Sequence, residues 1–381
     1  MLFLYGAMNT KPLHIISFDN PFPANYGGVI DVFYKVKALH SLGYEIYLHC
    51  FYDERSTVAP ELKAITKEVY LYPKNRRFTF LFSAFPFGVI SRYHKSLGEH
   101  INAVEAPILF EGLQSTMLLH RLHCTNIKFL RLHNIESNFY AGMYASETNW
   151  LKKVLYYFEI GKYKKYEQQL HHFKRVFTLS PYEQQIVSQW TDAVTYLPVF
   201  HGNELVTPLS EKGSYCLYHG DLRLPDNKRV ASFLIKVFKK LPEYKLIIAS
   251  SASQEFVEKQ TKGFANIQFE KIDDDSHLES LLAEAHINVL WSFQKSGTKL
   301  KAVKALFKSR FCLINSNMVD DDALLNLCEL ANTEEELIQQ IQRLYALPYT
   351  QHETRATTLF KAMNDQKNAK ILADLMENTV A

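Results

Sequence analysis

The chain has 381 residues, 47% of them hydrophobic, and a formal net charge of +3. That length accommodates two domains with sizeable cores, and the composition excludes a disordered protein. So small a charge gives no reason of its own to expect nucleic acid. Cys50, Cys124, Cys216, Cys312 and Cys328 are scattered, with no CxxC or Cys/His ligand spacing. They predict free thiols in a reducing compartment, hence a cytoplasmic protein. Residues 1–8 are apolar but short and lack a basic lead, so they read as a poor signal peptide, with Met8 a candidate start. No apolar run reaches the length of a transmembrane helix.

Residues 13–18 read as a strand, followed by a loop over 19–28. Val29, Val32, Phe33, Val36 and Leu39 then recur at helical spacing up to Gly43. Gly27 and Gly28 sit at the start of that helix, where backbone N–H groups and the positive end of the macrodipole suit an anion. A simple tight turn is the alternative. Strands follow over 45–51 and 69–72. The aromatic stretch from Phe78 to Val89 reads as a core helix with an aromatic loop rather than a substrate- or membrane-facing patch. Residues 107–111 and 127–132 are further strands, with a helix over 113–120 between them. Arg131-Leu132-His133-Asn134-Ile135-Glu136 places a polar cluster at a strand's carboxyl end, where parallel sheets bind ligands.

Residues 138–173 read as one long helix, basic and aromatic between Trp150 and Tyr166. Such a helix either lies on an anionic membrane surface or forms a solvated outer face. A strand over 176–179 leads into Ser180-Pro181-Tyr182-Glu183, a helix start with a capping residue, Pro at the first position and Glu at the third. A short strand over 194–197 precedes a linker over 198–208.

The second half repeats the alternation. A strand over 214–218 leads to His219-Gly220-Asp221, then a helix covers 227–239, a strand 245–249 and another 267–269, with a helix opening at Ser253 between them. Asp273, Asp274 and Asp275 read as a solvated loop rather than a metal site, ahead of a helix capped at Ser276. Residues 287–291 form a strand that ends in Ser296-Gly297-Thr298-Lys299-Leu300-Lys301. This stretch opens a helix with Leu300, Val303, Leu306 and Phe307 toward one face and Lys301, Lys304 and Lys308 on another. Its glycine permits close backbone approach, and its N-terminus suits a phosphate. A strand over 311–314, a helix capped at Thr333 and a helical tail over 355–376 complete the chain. GxSxG, Walker, HExxH and GxGxxG motifs are absent.

Two similar α/β halves, each with a glycine loop after a strand, resemble the retaining GT-B glycosyltransferases (glycosyl transferases group 1, family 4-like) over nearly the whole chain. The pieces that carry the resemblance are the loop over 23–28, residues 131–136, the strand-to-helix step over 178–183, Leu217-Tyr218-His219-Gly220-Asp221-Leu222, and Ser296 to Lys301. The resemblance implies a GT-B fold: two Rossmann-like domains facing across a cleft, with the last helix crossing back to the first. It divides the chain into an acceptor-side domain over 1–200, a donor domain over 209–350 and the returning helix over 351–381. It implies transfer of a hexose from a nucleotide-diphosphate donor to a glycan or glycolipid acceptor with retention, without metal or cofactor. Peripheral contact with an anionic membrane goes with such acceptors.

By the same resemblance His133 and Lys301 are catalytic. Gly27, Gly28, Asn134, Gly220, Arg223, Ile272, Ser296, Gly297, Thr298, Lys299, Leu300 and Lys304 lie on the donor, and Glu111 and Glu136 on the acceptor side. The chain departs from the family at two places. The two usual glutamates, seven residues apart, become Ser296 and Lys304, and a lysine offers no acceptor to ribose hydroxyls. The usual Arg and Lys after the strand-end glycine become Asp221 and Asp226, with Asn227-Lys228 as a substitute. A non-catalytic GT-B-like binding protein and a nucleotide-sugar epimerase on the same fold are the alternatives.

Overall fold

A computed structural model describes residues 11–295 and 297–380, so the readings made on residues 1–8 and on Ser296 lie outside the described residues. Lys11–Ser17 (β1), Tyr44–Tyr52 (β2), Glu68–Pro73 (β3), Ile108–Glu111 (β4), Lys128–Leu132 (β5), Arg175–Thr178 (β6) and Val194–Tyr196 (β7) form one sheet. Its order is β3-β2-β1-β4-β5-β6-β7. Tyr215–His219 (β8), Leu246–Ser250 (β9), Ile267–Lys271 (β10), Ala285–Leu290 (β11), Phe311–Ile314 (β12) and Glu329–Leu330 (β13) form the second, in the order β10-β9-β8-β11-β12-β13. The pairings are parallel, for example Leu13 opposite Ile46 and Leu290 opposite Ile314. Parallel strands need helical crossovers that cover both faces, which is why β4, β8, β9 and β12 are buried along their whole length. In each sheet the strand order reverses beside the first strand, and loops from the carboxyl ends diverge there to leave room for a ligand.

Each lobe has its own core, and the helix Asp365–Val380 belongs to that of the first. Its Ala369, Leu372 and Met376 are buried with Val32, Val36 and Leu39 of the helix Gly27–Ser41. Lys11 Nζ meets Glu377 Oε1 at 2.6 Å on the same seam.

Several sequence expectations are corrected. The long helix over 138–173 is interrupted: Glu136–Ser146 ends, Trp150–Tyr166 begins anew, and residues Glu167–His172 tighten to 3-10 turns. Asn149 makes the break by accepting from the N–H groups of Leu151 and Lys152, which a continuous helix bonds to carbonyls. The helix expected over 113–120 is present as the 3-10 helix Leu113–His120. The acidic triplet is exposed, as a solvated segment should be, but it also caps the helix that follows. Asp274 Oδ1 accepts from the His277 N–H at 2.8 Å and caps Asp275–Glu284, displacing Ser276 from that role. Phe78 and Phe82 are exposed, not core. The start at Ser180 holds, its Oγ taking the Glu183 N–H at 3.1 Å.

Candidate functional site

The carboxyl ends of β4 and β5 deliver Glu111 and His133 beneath the helix Gly27–Ser41, whose inward face carries Asp31 and Lys35 among valines. These groups and Arg131 form a buried ion cluster. Lys35 Nζ lies 2.8 Å from both Asp31 Oδ2 and Glu111 Oε2. Arg131 Nη2 reaches Asp31 Oδ1 at 3.0 Å, and the same guanidinium donates to the carbonyls of Leu197 and Pro198. Asp31 Oδ1 also accepts the Phe200 N–H at 2.8 Å. Burial alone would raise the Asp31 carboxyl, but Arg131 and Lys35 hold it well below the ordinary carboxylate range. His133 Nε2 donates to Glu111 Oε2 at 2.8 Å, while the Phe18 ring meets the imidazole edge-on. Oxygens of Asp31 and Glu111 and a nitrogen of His133 lie close enough together to share a cation. The Lys35 ammonium already stands between the two carboxylates.

This cluster takes in part of the expected site. Glu111 is fully buried; its Oε2 is bonded to Lys35 and His133, while its Oε1 has no hydrogen-bond partner. His133 is likewise buried, with Nε2 committed to Glu111. Glu136 is buried at the start of its helix, and burial pushes its carboxyl up to about 7, partly offset by the amides of Gln114 and Asn134. Gly28 owes its identity to packing: a Cβ there would stand 2.5 Å from Phe18 Cζ.

The second lobe brings Gly297, Thr298, Lys299 and Leu300 to the carboxyl end of β11. The helix itself is Leu300–Lys308, so Gly297 and Thr298 form the turn before it and Lys299 is the N-cap, with no side-chain cap. Gly297 has φ +59°, a backbone state that glycine adopts without strain. Lys301 projects toward β8. Its Nζ meets Asn227 Oδ1 at 3.5 Å and lies 5.2 Å from the centroid of the Tyr218 ring. Burial, and then repulsion from Lys299, push the Lys301 ammonium down to about 7, while Asp226 opposes the shift. Burial lowers Lys299 as well. At the end of β8, burial and the neighbouring lysines hold His219 neutral, pushed down to about 3.

Three other residues expected on the donor make contacts of their own. Arg223 is exposed and folds back on Asp221, with Nε at 2.9 Å from Oδ1. Lys304 pairs with Asp275 and lies 3.8 Å from Glu279, on the side of Asp275–Glu284. Ile272 packs on the second core as its N–H donates to Ser250 O. Gly220 stays at the strand end, where a Cβ would meet Tyr218 Oη at 3.2 Å.

The two lobes touch through these very loops. Leu300 Cδ1 lies 3.7 Å from the Cβ position of Gly27, and Ser180 Oγ lies 3.0 Å from that of Gly297. The Tyr182 N–H donates to Asp320 Oδ2 at 2.7 Å, and Thr298 Oγ1 to Asp320 Oδ1 at 3.2 Å. The Gln294 amide reaches Asn138 O. Thus Gly27 packs against Leu300 and Gly297 against Ser180 and Glu183, so both glycines lie at the seam between the lobes.

Sequence reasoning missed Asp31, Lys35, Tyr218, Asp320 and Glu183. Asp31 and Lys35 left a signal: two opposite charges one turn apart on an otherwise apolar helix face. Glu183 left none beyond its capping position. It is buried against Gly297, and its Oε2 has no hydrogen-bond partner. Burial, and then Asp320, push its carboxyl up to about 8 from an ordinary 4.5. Across that window the folded chain keeps a proton the unfolded chain has lost, so stability falls as pH rises. Glu183→Gln removes the slope. Relative to the parent, its urea midpoint is expected to climb between pH 5 and pH 8 (about the span of that titration); parallel profiles would count against this reading.

No protein-family model matches the sequence. A Klebsiella pneumoniae protein known as an uncharacterized 44.6 kDa protein in the cps region is 25% identical over 322 residues, covering 79% of this chain and 82% of its own. Among solved structures, sucrose-phosphate synthase from Thermosynechococcus elongatus superposes with a TM-score of 0.69 at 14% identity, covering 97% of this chain and 98% of that one. S. aureus TarM, in complex with Fondaparinux, alpha-GlcNAc-glycerol and UDP, gives 0.61 at 10% identity over 97% and 99%. Two facing parallel lobes, a returning last helix and full-length superposition define a GT-B protein. The chain is a divergent member of that fold.

Proposed function

We propose that the protein is a glycosyltransferase that moves a hexose from a nucleotide-diphosphate donor to a hydroxyl of a glycan or lipid-linked acceptor, with retention, in surface polysaccharide assembly. It works in the cytoplasm, where its free thiols stay reduced. One observation carries the donor reading. Lys301, an ammonium that its surroundings destabilise, sits behind an uncapped helix start at the seam where the Gly27 and Gly297 loops meet. A diphosphate brings negative charge to a place where two buried lysines repel each other. The position of the Klebsiella relative in a cps region supports the polysaccharide assignment.

In the reaction the bond between the anomeric carbon and the diphosphate oxygen breaks, and the acceptor oxygen forms a bond to that carbon and gives up its proton to the departing diphosphate oxygen. Charge grows on the departing diphosphate. Lys301, Lys299 and the N–H groups opening Leu300–Lys308 are placed to neutralise it, which is electrostatic catalysis without a metal or cofactor. Gly27 lets the first lobe close on the donor. The buried ion cluster fixes the His133 and Glu111 corner rather than reacting. A GT-B-like binding protein without turnover is the second reading. It draws on Arg223 and Lys304, two cations already satisfied by Asp221 and Asp275.

The test is a thermal-shift screen of the full chain against UDP, GDP, ADP and their sugar conjugates, followed by donor turnover. A diphosphate at about a hundred times its Kd contributes about 2.7 kcal/mol, a rise of several degrees. No shift with any nucleotide would defeat the donor reading; a shift without turnover would favour the binding protein.

A further inference from the structure

The helix Gly27–Ser41 opens on two glycines, and no side chain caps it. Glycine is a poor helix former, and an uncapped first turn leaves its N–H groups without partners. Nothing in that turn fixes Gly27 at the seam, where Leu300 of the second lobe meets it. Its place must be set by the segment before it. Residues 18–26 join β1 to the helix and belong to neither strand nor helix.

A side chain from another loop holds that segment. Arg55 lies just past β2, and its guanidinium spends its donors on one stretch of chain. Nη1 donates to Pro23 O at 2.8 Å and to Asn20 O at 3.2 Å, and Nη2 donates to Asn25 Oδ1. The same cation lies 5.0 Å from the centroid of the Tyr26 ring. Tyr26 is fixed at its other end, where its hydroxyl donates to Asp19 Oδ2 at 2.7 Å. The bracing is returned as well. The buried Asn20 amide donates to Arg55 O at 3.0 Å and to Thr57 O at 2.9 Å.

An ion pair does not account for Arg55. The carboxylates nearest in the chain are taken, Asp19 by Lys74 and Asp53 by Lys74 and Arg76. What Arg55 meets instead is the backbone of one loop and one amide side chain. Hydrogen bonds from a charged donor are stronger than neutral ones, and a rigid planar fork can serve several acceptors at once. The effect is to order a loop before any ligand arrives, which spares the ligand that cost. The brace also stands near the second lobe, since the charge of Glu54 reaches Arg223 and favours its guanidinium.

We propose that Arg55 is a positioning residue of the nucleotide-diphosphate site: by bracing residues 20–26 it holds Gly27 where the first lobe closes on the donor. The proposal rests on the donor reading, and two measurements on the full chain keep them apart. The first is hydrogen exchange without ligand. In Arg55→Gln the amides of residues 20–27 are expected to exchange about tenfold faster, with the rest of the chain and the urea midpoint close to the parent. The second is affinity for whichever of UDP, GDP and ADP shifts the parent, expected to fall about tenfold in the variant. In Arg55→Ala, millimolar ethylguanidinium should restore both readings and ethylammonium neither, because the fork and not the charge alone makes the brace. Should Arg55→Gln fail to fold, Asn25→Ala, at an exposed residue, decides by the same two readings. Unchanged exchange, or equal rescue by ethylammonium, would overturn the proposal whether or not nucleotides bind. Faster exchange with unchanged affinity would overturn it and leave the donor reading standing. A parent that binds no nucleotide would defeat the donor reading and this role with it.

Discussion

Asp31→Ala is expected to lower stability by about 3–5 kcal/mol, the usual loss when a buried pair is broken from one side. Whole-protein stabilities are about 5–15 kcal/mol, so the variant should be near the edge of folding. The reason is what Asp31 joins. Its carboxylate binds Arg131 from β5, Lys35 from its own helix and the Phe200 N–H beyond β7. Removing it leaves two cations and an amide buried among Val32, Val36 and Phe200. The pH dependence follows from the lowered carboxyl: its contribution is present above about pH 4 and is lost as acidity approaches its folded value. Urea denaturation followed by circular dichroism measures the effect. Asp31→Asn keeps the volume and should fall between parent and alanine variant. A loss below about 1 kcal/mol would mean that the cluster relaxes or takes up water instead of depending on this carboxylate.

Lys301→Met should separate binding from stability. Hydrogen bonds to charged groups contribute about 1.5–3 kcal/mol, so affinity for a nucleoside diphosphate is expected to fall about 10- to 100-fold. Without ligand the same variant should be more stable than the parent at neutral pH, because an ammonium pushed down to about 7 is an unfavourable guest in its site. The signs are fixed by linkage. The unfolded lysine keeps its proton up to its ordinary value of 10.5. The folded one gives it up from about pH 7, so parent stability rises with pH between those values. A bound dianion reverses the preference. Above about pH 7 the parent should take up a proton on binding, and its affinity should decline as pH rises. Calorimetry in buffers of different ionisation enthalpy reads the proton directly. Unchanged affinity in Lys301→Met, with no proton uptake in the parent, would remove this residue from the site. It would leave the thermal-shift result to judge the donor reading separately.

Alternation of short apolar runs with helical patterns, and glycines at two strand-to-helix steps, determined on their own that the chain is α/β with two similar halves. These signals are local: a buried parallel strand must be continuously apolar, and a helix must repeat near every fourth residue. The capping residues Ser180 and Thr333 were readable for the same reason, since each acts within three positions of itself. Where local rules competed, the sequence pattern misled. Nothing apolar ends at Asn149, yet its side chain restarts a helix there. The Phe78 run resembles core by composition, and only its lack of a covering element leaves it outside.

The site was legible as a place and not as a constellation. Gly27, Gly297 and Lys301 were singled out because a glycine loop after a strand is a local motif. Whether Glu111 faces a ligand or Lys35 depends on residues 76 positions apart. Arg131 and Asp31 are separated by 100. Tertiary structure alone decided that Lys304 answers Asp275 while Lys301 stays behind the opposed loops. Charges pair by distance through space, and one face of a helix differs from the next only by what the fold packs against it.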